Sequence, residues 1–251
     1  MHFWLAVAGA LPAILAMAYV DHLDAKRPEP RWSLRKVAIW GAVSVVPCVI
    51  IEELLMRVHV GGGPWAAVLF KAFIVAAAVE ELAKVCVVKW VIWKRPELDE
   101  RLDGIVYATR AGLGFALVEN VAYLLGPKTA GAFLVMYFVR ACLAVPGHAI
   151  YAGFMGYFAA RKRFDNAGPG LLGGYLLAVF LHGSYDAALF ALPLVAQTER
   201  GLLLPVMLIP LVVVIGGALT LRRRARFALL LDDRAEEAAR AAAAAAPAQV
   251  A

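Results

Sequence analysis

Two adjacent carboxylates with a lysine one turn later form the first motif in this chain that could do chemistry. Glu80 and Glu81 lie in the middle of an apolar stretch, residues 65–93, and Lys84 follows Glu81 by three residues. An ionisable group at the centre of a bilayer costs about 2.5–3.5 kcal/mol on insertion scales, so it marks a functional site by default. On a helix Lys84 can reach either carboxylate and leave the other free to act as a general base. The alternative is an ion cluster that only locks helices together.

Two later apolar stretches carry further costly side chains. Phe115 and Glu119 share a helix face at a spacing of four residues, and Asn120 follows directly. Arg140 and His148 are eight residues apart, so they lie near one helix face and about 12 Å apart along its axis. We expect Arg140 to pair with a carboxylate from another span. Glu119 alone could simply satisfy a polar group of a neighbouring helix.

A histidine and an aspartate lie one turn apart in a fourth stretch. Asp186 follows His182 by four residues, so it could orient the imidazole and fix its tautomer. A single histidine within a span is more often a packing residue, but a carboxylate one turn away favours a functional role. In the preceding stretch, Pro146-Gly147 predicts a kink or break directly before His148.

Composition places the whole chain in a membrane. It has 251 residues, of which 63% are hydrophobic, and a mean hydropathy of +0.73. Soluble domains are typically about 45–50% apolar. The net charge of +6 resides in loops, so membrane topology explains it and a nucleic-acid partner is not expected. The three dispersed cysteines argue against a disulfide framework and against a cysteine metal site.

The hydropathy pattern predicts an all-α bundle of about seven transmembrane helices, because a span needs about 20 apolar residues. We expect one transmembrane domain over residues 1–221, followed by a cytoplasmic juxtamembrane helix and an alanine-rich tail over residues 222–251. The first span could instead be a cleaved signal peptide, but no basic segment precedes it. The predicted spans are 3–20, 37–56, 65–93, 104–125, 131–160, 170–192 and 202–221.

Loop charges set the orientation of this integral, multi-pass protein. Segment 21–36 carries five basic residues, whereas the next loop carries only Arg57, and this alternation continues to the cluster at 222–226. The positive-inside rule therefore places the N-terminus outside and the C-terminus in the cytoplasm.

The four motifs resemble, in order, those of the PrsW family of intramembrane proteases. That family belongs to a wider group that contains the CAAX prenyl endopeptidases and the multi-pass scaffold subunit of gamma-secretase. The resemblance covers about residues 65–190. It rests on Glu80-Glu81-x-x-Lys84, Phe115-x-x-x-Glu119-Asn120, Arg140 with His148 and Gly156, and His182 with Asp186.

The resemblance implies glutamate-dependent hydrolysis of peptide bonds in a bacterial-type cell membrane. Glu80 or Glu81 would be the general base, and His148 and His182 would polarise the carbonyl and stabilise the oxyanion. Glu119 and Asn120 would help to hold the water or the histidines. The supporting positions would be Lys84, Phe115, Arg140 and Asp186.

A metal ion remains undecided at the level of sequence. The family is described as metalloproteases, and Glu119, His148 and His182 would make a plausible zinc set with a second glutamate as base. No H-E-x-x-H motif occurs, and nothing in the sequence decides between metal-bound and metal-free water. The resemblance implies glutamate-dependent hydrolysis, and we expect it without claiming a metal. The implied substrate is another membrane protein, and in the family's best-known role it is a single-span anti-sigma factor.

A second paired-carboxylate motif lies at the outer end of the second predicted span. Glu52 and Glu53 with Arg57 match the corresponding motif of the CAAX group, but the F-x-x-x-H motif which that group needs next does not occur. We interpret these three residues as interfacial.

Two other functions remain open for the chain. One is a proton-coupled transporter in which the carboxylates and histidines of the four motifs form a relay, and the other is a non-catalytic scaffold.

Overall fold

The computed structural model describes residues 2–245, and within them every regular element is helical. The predicted all-α class is therefore confirmed. Two π-helical segments, Phe70–Ala78 and Arg140–Ala144, interrupt the longer helices. The α-helices are α1 His2–Leu23, α2 Arg31–Val43, α3 Val45–Leu55, α4 Gly63–Leu69, α5 Val79–Val91, α6 Arg101–Leu124, α7 Ala130–Val139, α8 Val145–Asp165, α9 Gly170–Thr198 and α10 Leu203–Ala245.

Within residues 2–245, five helical stretches are long and apolar enough to cross a membrane. The two other predicted spans, 65–93 and 104–125, are helical along most of their length, and they carry Glu80, Glu81 and Glu119. The count of seven spans and the orientation of the termini stay predictions. The five qualifying stretches are Trp4–Leu23, Arg31–Leu55, Ala130–Asp165, Gly170–Thr198 and Arg200–Ala245.

The irregularity predicted at Pro146-Gly147 lies one turn earlier. The π-helical segment Arg140–Ala144 ends directly before α8, and Pro146 occupies the first turn of α8. Proline has no N–H, so the carbonyl four residues before it cannot receive its usual helical hydrogen bond. The loosened turn therefore lies between Arg140 and His148. The other π-helical segment lies directly before Glu80, and such segments are frequent at functional sites.

Helix α6 lies at the centre of the bundle and packs against α1, α2 and α8. Small residues permit the closest of these approaches. A Cβ atom added to Gly156 of α8 would lie 1.9 Å from the backbone oxygen of Gly104 on α6. Any side chain at Gly156 would therefore push the two helices apart. This crossing fixes α6 and α8, which carry Glu119 and His148, relative to each other.

Helix α10 runs without interruption from the last predicted span into the predicted juxtamembrane segment. Its extension is tied to the start of α6 by Asp232, which is buried. The Asp232 carboxylate accepts hydrogen bonds from the backbone N–H groups of Arg101 and Leu102, each at 3.0 Å. It thereby satisfies two donors that a helix start leaves without an intrahelical partner. The part of the predicted tail after residue 245 lies outside the described residues.

Candidate active site

Costly side chains predicted on four different spans converge at one buried place in the bundle. Helix α5 supplies three of them, and α6, α8 and α9 supply one each. Their mutual contacts join the four motifs into a single cluster. Its central members are Glu80, Glu81, Lys84, Glu119, His148 and His182.

Glu81 is the carboxylate of the pair that is committed to partners. Its Oε1 atom accepts a hydrogen bond from Lys84 Nζ at 2.6 Å and lies 2.9 Å from Nδ1 of His182. Glu81 and Lys84 are both fully buried. Burying a charge is tolerated when it is paired and hydrogen-bonded, so Glu81 and Lys84 stabilise each other. Glu81 also orients the His182 ring.

Glu80 is the uncommitted carboxylate. Its Oε2 atom is buried and has no hydrogen-bond partner among the described residues. That atom lies 3.6 Å from Lys84 Nζ, 3.8 Å from Nδ1 of His148 and 4.0 Å from Nε2 of His182. An acceptor that faces two imidazoles without being bonded to either is free to accept a hydrogen bond from water or to bind an ion.

One carboxylate oxygen of Glu119 contacts two side chains. Its Oε2 atom accepts a hydrogen bond from Arg140 Nη2 at 2.7 Å and lies 2.8 Å from Nε2 of His148. The expected pairing of Arg140 with a carboxylate from another span is thus present. Asn120 does not contact a histidine. Its amide donates to the Gly9 carbonyl of α1 at 2.6 Å, and its oxygen accepts from Arg140 Nε at 2.8 Å.

Both imidazoles have each of their ring nitrogens beside a polar partner. In His148, Nε2 faces Glu119 and Nδ1 lies 2.9 Å from Lys84 Nζ. In His182, Nδ1 faces Glu81, and Nε2 lies 3.4 Å from Asp186, its predicted partner. In His148, a proton on Nε2 bonds Glu119 and leaves Nδ1 to accept from Lys84, whereas His182 has a carboxylate beside each of its nitrogens. The opposite nitrogens, Nδ1 of His148 and Nε2 of His182, face Glu80.

Three of these residues could hold a metal ion. Donor atoms of Glu80, His148 and His182 lie within 4.8 Å of one another, and all three residues are buried. Two imidazoles and a carboxylate are ligands that zinc takes. Each imidazole also has its other nitrogen on a carboxylate, as ligating histidines usually do. The donor set fits zinc, with Glu80 in the position for which the sequence suggested Glu119.

The Phe115 ring packs against the cluster, beside Lys84 and His148. The Lys84 ammonium is 4.7 Å from the centre of its ring, and the ring of His148 is 5.7 Å away. Gly112, one turn earlier on α6, lets α8 approach closely, because a Cβ there would lie 2.6 Å from the His148 carbonyl oxygen. The aromatic ring and the glycine together set the position of His148.

Sequence reasoning missed Tyr151. Its ring is stacked on that of His182, with 5.2 Å between ring centres and 20° between planes. It also meets His148 edge-on at 6.5 Å. Tyrosine is common in membrane helices as a packing or interfacial residue, so its type gave no signal. Its position three residues after His148, on the same helix face, was the available clue.

The second paired-carboxylate motif lies near the end of α3. Glu53 and Arg57 are exposed and Glu52 is half-buried. The interfacial interpretation stays a prediction, because Glu52 interacts electrostatically with Glu119, His182, Asp186 and Lys84 of the cluster. Cys48, Cys86 and Cys142 are free.

Comparisons with known proteins agree with the geometry. A family model described as PrsW family intramembrane metalloprotease matches residues 29–215. Protease PrsW of Geobacillus kaustophilus is 34% identical over 193 residues, which cover 75% of this chain and 81% of the relative. Protease PrsW of Bacillus subtilis is 34% identical over 188 residues, covering 74% and 82%. Protease PrsW of Clostridioides difficile is 30% identical over 180 residues, covering 70% and 75%. No solved structure matches the chain.

Proposed function

This chain belongs to the PrsW family of intramembrane metalloproteases, and from that premise we propose that it hydrolyses membrane-protein substrates with water activated by Glu80. The observation that carries the proposal is the free Oε2 atom of Glu80, buried and unpartnered beside two imidazoles. A general base must lie within hydrogen-bond reach of the proton that it takes. A water molecule between Glu80 and the histidines would meet that condition.

The other carboxylates of the cluster support the histidines. Glu81 holds His182 and Glu119 holds His148, each from a different helix. Lys84 and Arg140 neutralise these two carboxylates at 2.6 and 2.7 Å. Side chains locked by such contacts keep the reacting groups in place without reorganisation during the reaction.

The substrate that we propose is a single-span membrane protein, and the resemblance points to an anti-sigma factor. The bacterial sources of the relatives support a bacterial cell membrane as the location. We propose that the N-terminus lies outside and the C-terminus in the cytoplasm, on the charge pattern of the loops.

We expect fragments of single-pass membrane proteins to form in the host membrane only when both histidines are present. Wild type, His148→Ala and His182→Ala would be compared by mass spectrometry of membrane fractions, with insertion checked for each. His59→Ala is the control, because His59 lies in the exposed loop before α4 and contacts no cluster residue that the structure describes. Flux of an ion without fragments would favour a transporter. A cellular role that survives both substitutions would favour a scaffold.

We expect the purified protein to bind one zinc ion. Glu80, His148 and His182 would hold it, in which case Glu80 would act as a ligand and not as the free base, and the ion would supply Lewis acidity toward water or the carbonyl. Zinc content would be measured by elemental analysis, together with the thermal shift on adding a chelator. We expect content near one per chain in wild type and His59→Ala, and a large loss in His148→Ala and His182→Ala. Equal content in all four proteins would exclude this site.

A further inference from the structure

We propose that the hydroxyl of Tyr151 donates the hydrogen bond that stabilises the oxyanion formed at the scissile carbonyl. This inference rests on the proposed function. It assigns to Tyr151 a task for which the histidines are expected from sequence, and it makes Tyr151 a catalytic residue.

The first support is an unused donor. Tyr151 is only 2% exposed, and its hydroxyl has no hydrogen-bond partner within the part of the chain that the structure describes. Buried polar groups are paired in the great majority of cases, so an unpaired one needs an explanation. A hydroxyl that receives its partner only with the substrate supplies one.

The second support is the position of the phenol. Its ring contacts both His182 and His148, the two rings that Glu80 faces. Gly147 gives the hydroxyl its place, because an added Cβ there would lie 2.8 Å from the Tyr151 oxygen. The Pro146-Gly147 pair thus loosens the helix before it and also admits the phenol beside the two imidazoles.

The third support comes from the other donors of the cluster. Both nitrogens of each imidazole already lie beside polar partners, so neither ring has a free N–H to offer. Lys84 is committed to Glu81 and His148. Among the described residues, Tyr151 and Arg110 hold the buried side-chain donors that lack a partner. Arg110 contacts α1 through Met17 and Asp21, away from the cluster.

In the proposed hydrolysis Glu80 takes one proton and returns it. Water attacks the carbonyl carbon, its proton passes to Glu80, and the carbonyl π electrons move to oxygen, where the Tyr151 O–H donates to the new negative charge. When the tetrahedral species collapses, the C–N bond breaks, and the leaving amine takes the proton from Glu80. Tyr151 keeps its proton throughout, so the products are an amine and a carboxyl group.

The test is the substitution Tyr151→Phe, which retains the ring and removes only the hydroxyl. Rates would be measured with a fluorescent single-span peptide in liposomes, using a sequence that the wild type cuts. Loss of one oxyanion donor typically lowers kcat by about 10²–10³-fold. We expect that fall with KM, zinc content and thermal stability unchanged, because the hydroxyl has no partner to lose in the resting enzyme.

The matched control is Tyr157→Phe. Tyr157 lies on the same helix and is also buried, but its hydroxyl lies 3.2 Å from Arg161, outside the cluster. The Tyr157→Phe variant should keep kcat within a few-fold of wild type.

A second variant, Gly147→Ala, places a methyl group against the Tyr151 hydroxyl and should lower kcat by at least ten-fold when Tyr151 is present. In a Tyr151→Phe background it should have little further effect.

Two outcomes would overturn the proposal. One is a Tyr151→Phe enzyme with wild-type kcat, and the other is a variant that changes KM or thermal stability alone. Failure of the proposed function is distinguishable, because wild type would then produce no fragments, or His148→Ala and His182→Ala would still produce them. An enzyme in which those two variants are inactive and Tyr151→Phe is fully active keeps the protease and loses only the role of Tyr151.

Discussion

Replacing Glu80 by glutamine is expected to abolish proteolysis while leaving the fold intact. Glutamine has nearly the same shape, but its amide cannot take a proton from water. General-base catalysis typically contributes about 10²–10⁴-fold to the rate. We expect a loss of that size in kcat on the liposome substrate. Thermal stability should change little, because the Oε2 atom of Glu80 has no hydrogen bond to lose.

The neighbouring carboxylates make this experiment specific. Glu53→Gln is the matched control, since Glu53 also belongs to a Glu-Glu pair but is exposed on α3 and should be dispensable. Glu81→Gln should lose stability as well as activity, because Glu81 holds Lys84 and His182. Zinc content separates two roles of Glu80: an inactive variant that retains zinc identifies a base, and one that loses zinc identifies a ligand. Full activity of Glu80→Gln would contradict both roles.

Replacing Lys84 by methionine should cause the largest loss of stability in the cluster. Removing one partner of a buried ion pair leaves an uncompensated charge and typically costs about 3–5 kcal/mol. Lys84 is fully buried and contacts Glu81, Glu80 and His148. We expect a decrease of about that size in the free energy of unfolding, measured by denaturant titration in detergent micelles.

Two further variants separate the lost charge from the altered side chain. Lys89→Met lies on the same helix at an exposed position and should be close to wild type. The double variant Lys84→Met/Glu81→Gln removes the charge that Lys84→Met leaves unpaired, so it should be more stable than Lys84→Met alone. A double variant no more stable than the single one would show that the cost lies in packing against Phe115 rather than in charge.

The sequence predicted the members of the site better than their arrangement. Costly side chains in successive spans had to gather, because none could face lipid alone. Which of Glu80 and Glu81 stays free could not be predicted from adjacent positions. Their contacts differ because α5 turns Glu81 into hydrogen-bond distance of Lys84 and His182 and leaves Glu80 facing both imidazoles.

The helices were likewise predictable in kind but not in detail. Apolar stretches predicted an all-helical fold, whereas the exact irregular turn before Pro146 depends on a missing backbone hydrogen bond. Tyr151 was not predicted, because inserting a tyrosine into a span costs little free energy and its presence there does not indicate a functional site. Its buried, unpaired hydroxyl results from the way Tyr151 packs against Gly147 and His182, and this packing could not be predicted from the sequence.

The cluster contains more negative than positive charge. Its contacts join four carboxylates to only two permanent cations, so the fully ionised cluster would hold two surplus negative charges in a region of low dielectric. Such a surplus must be matched from outside, either by two protons on the histidines or carboxylates or by one divalent ion. If a divalent ion binds there, its loading would release protons, and acidification of the surroundings would release the ion. The carboxylates are Glu80, Glu81, Glu119 and Asp186, and the cations are Lys84 and Arg140.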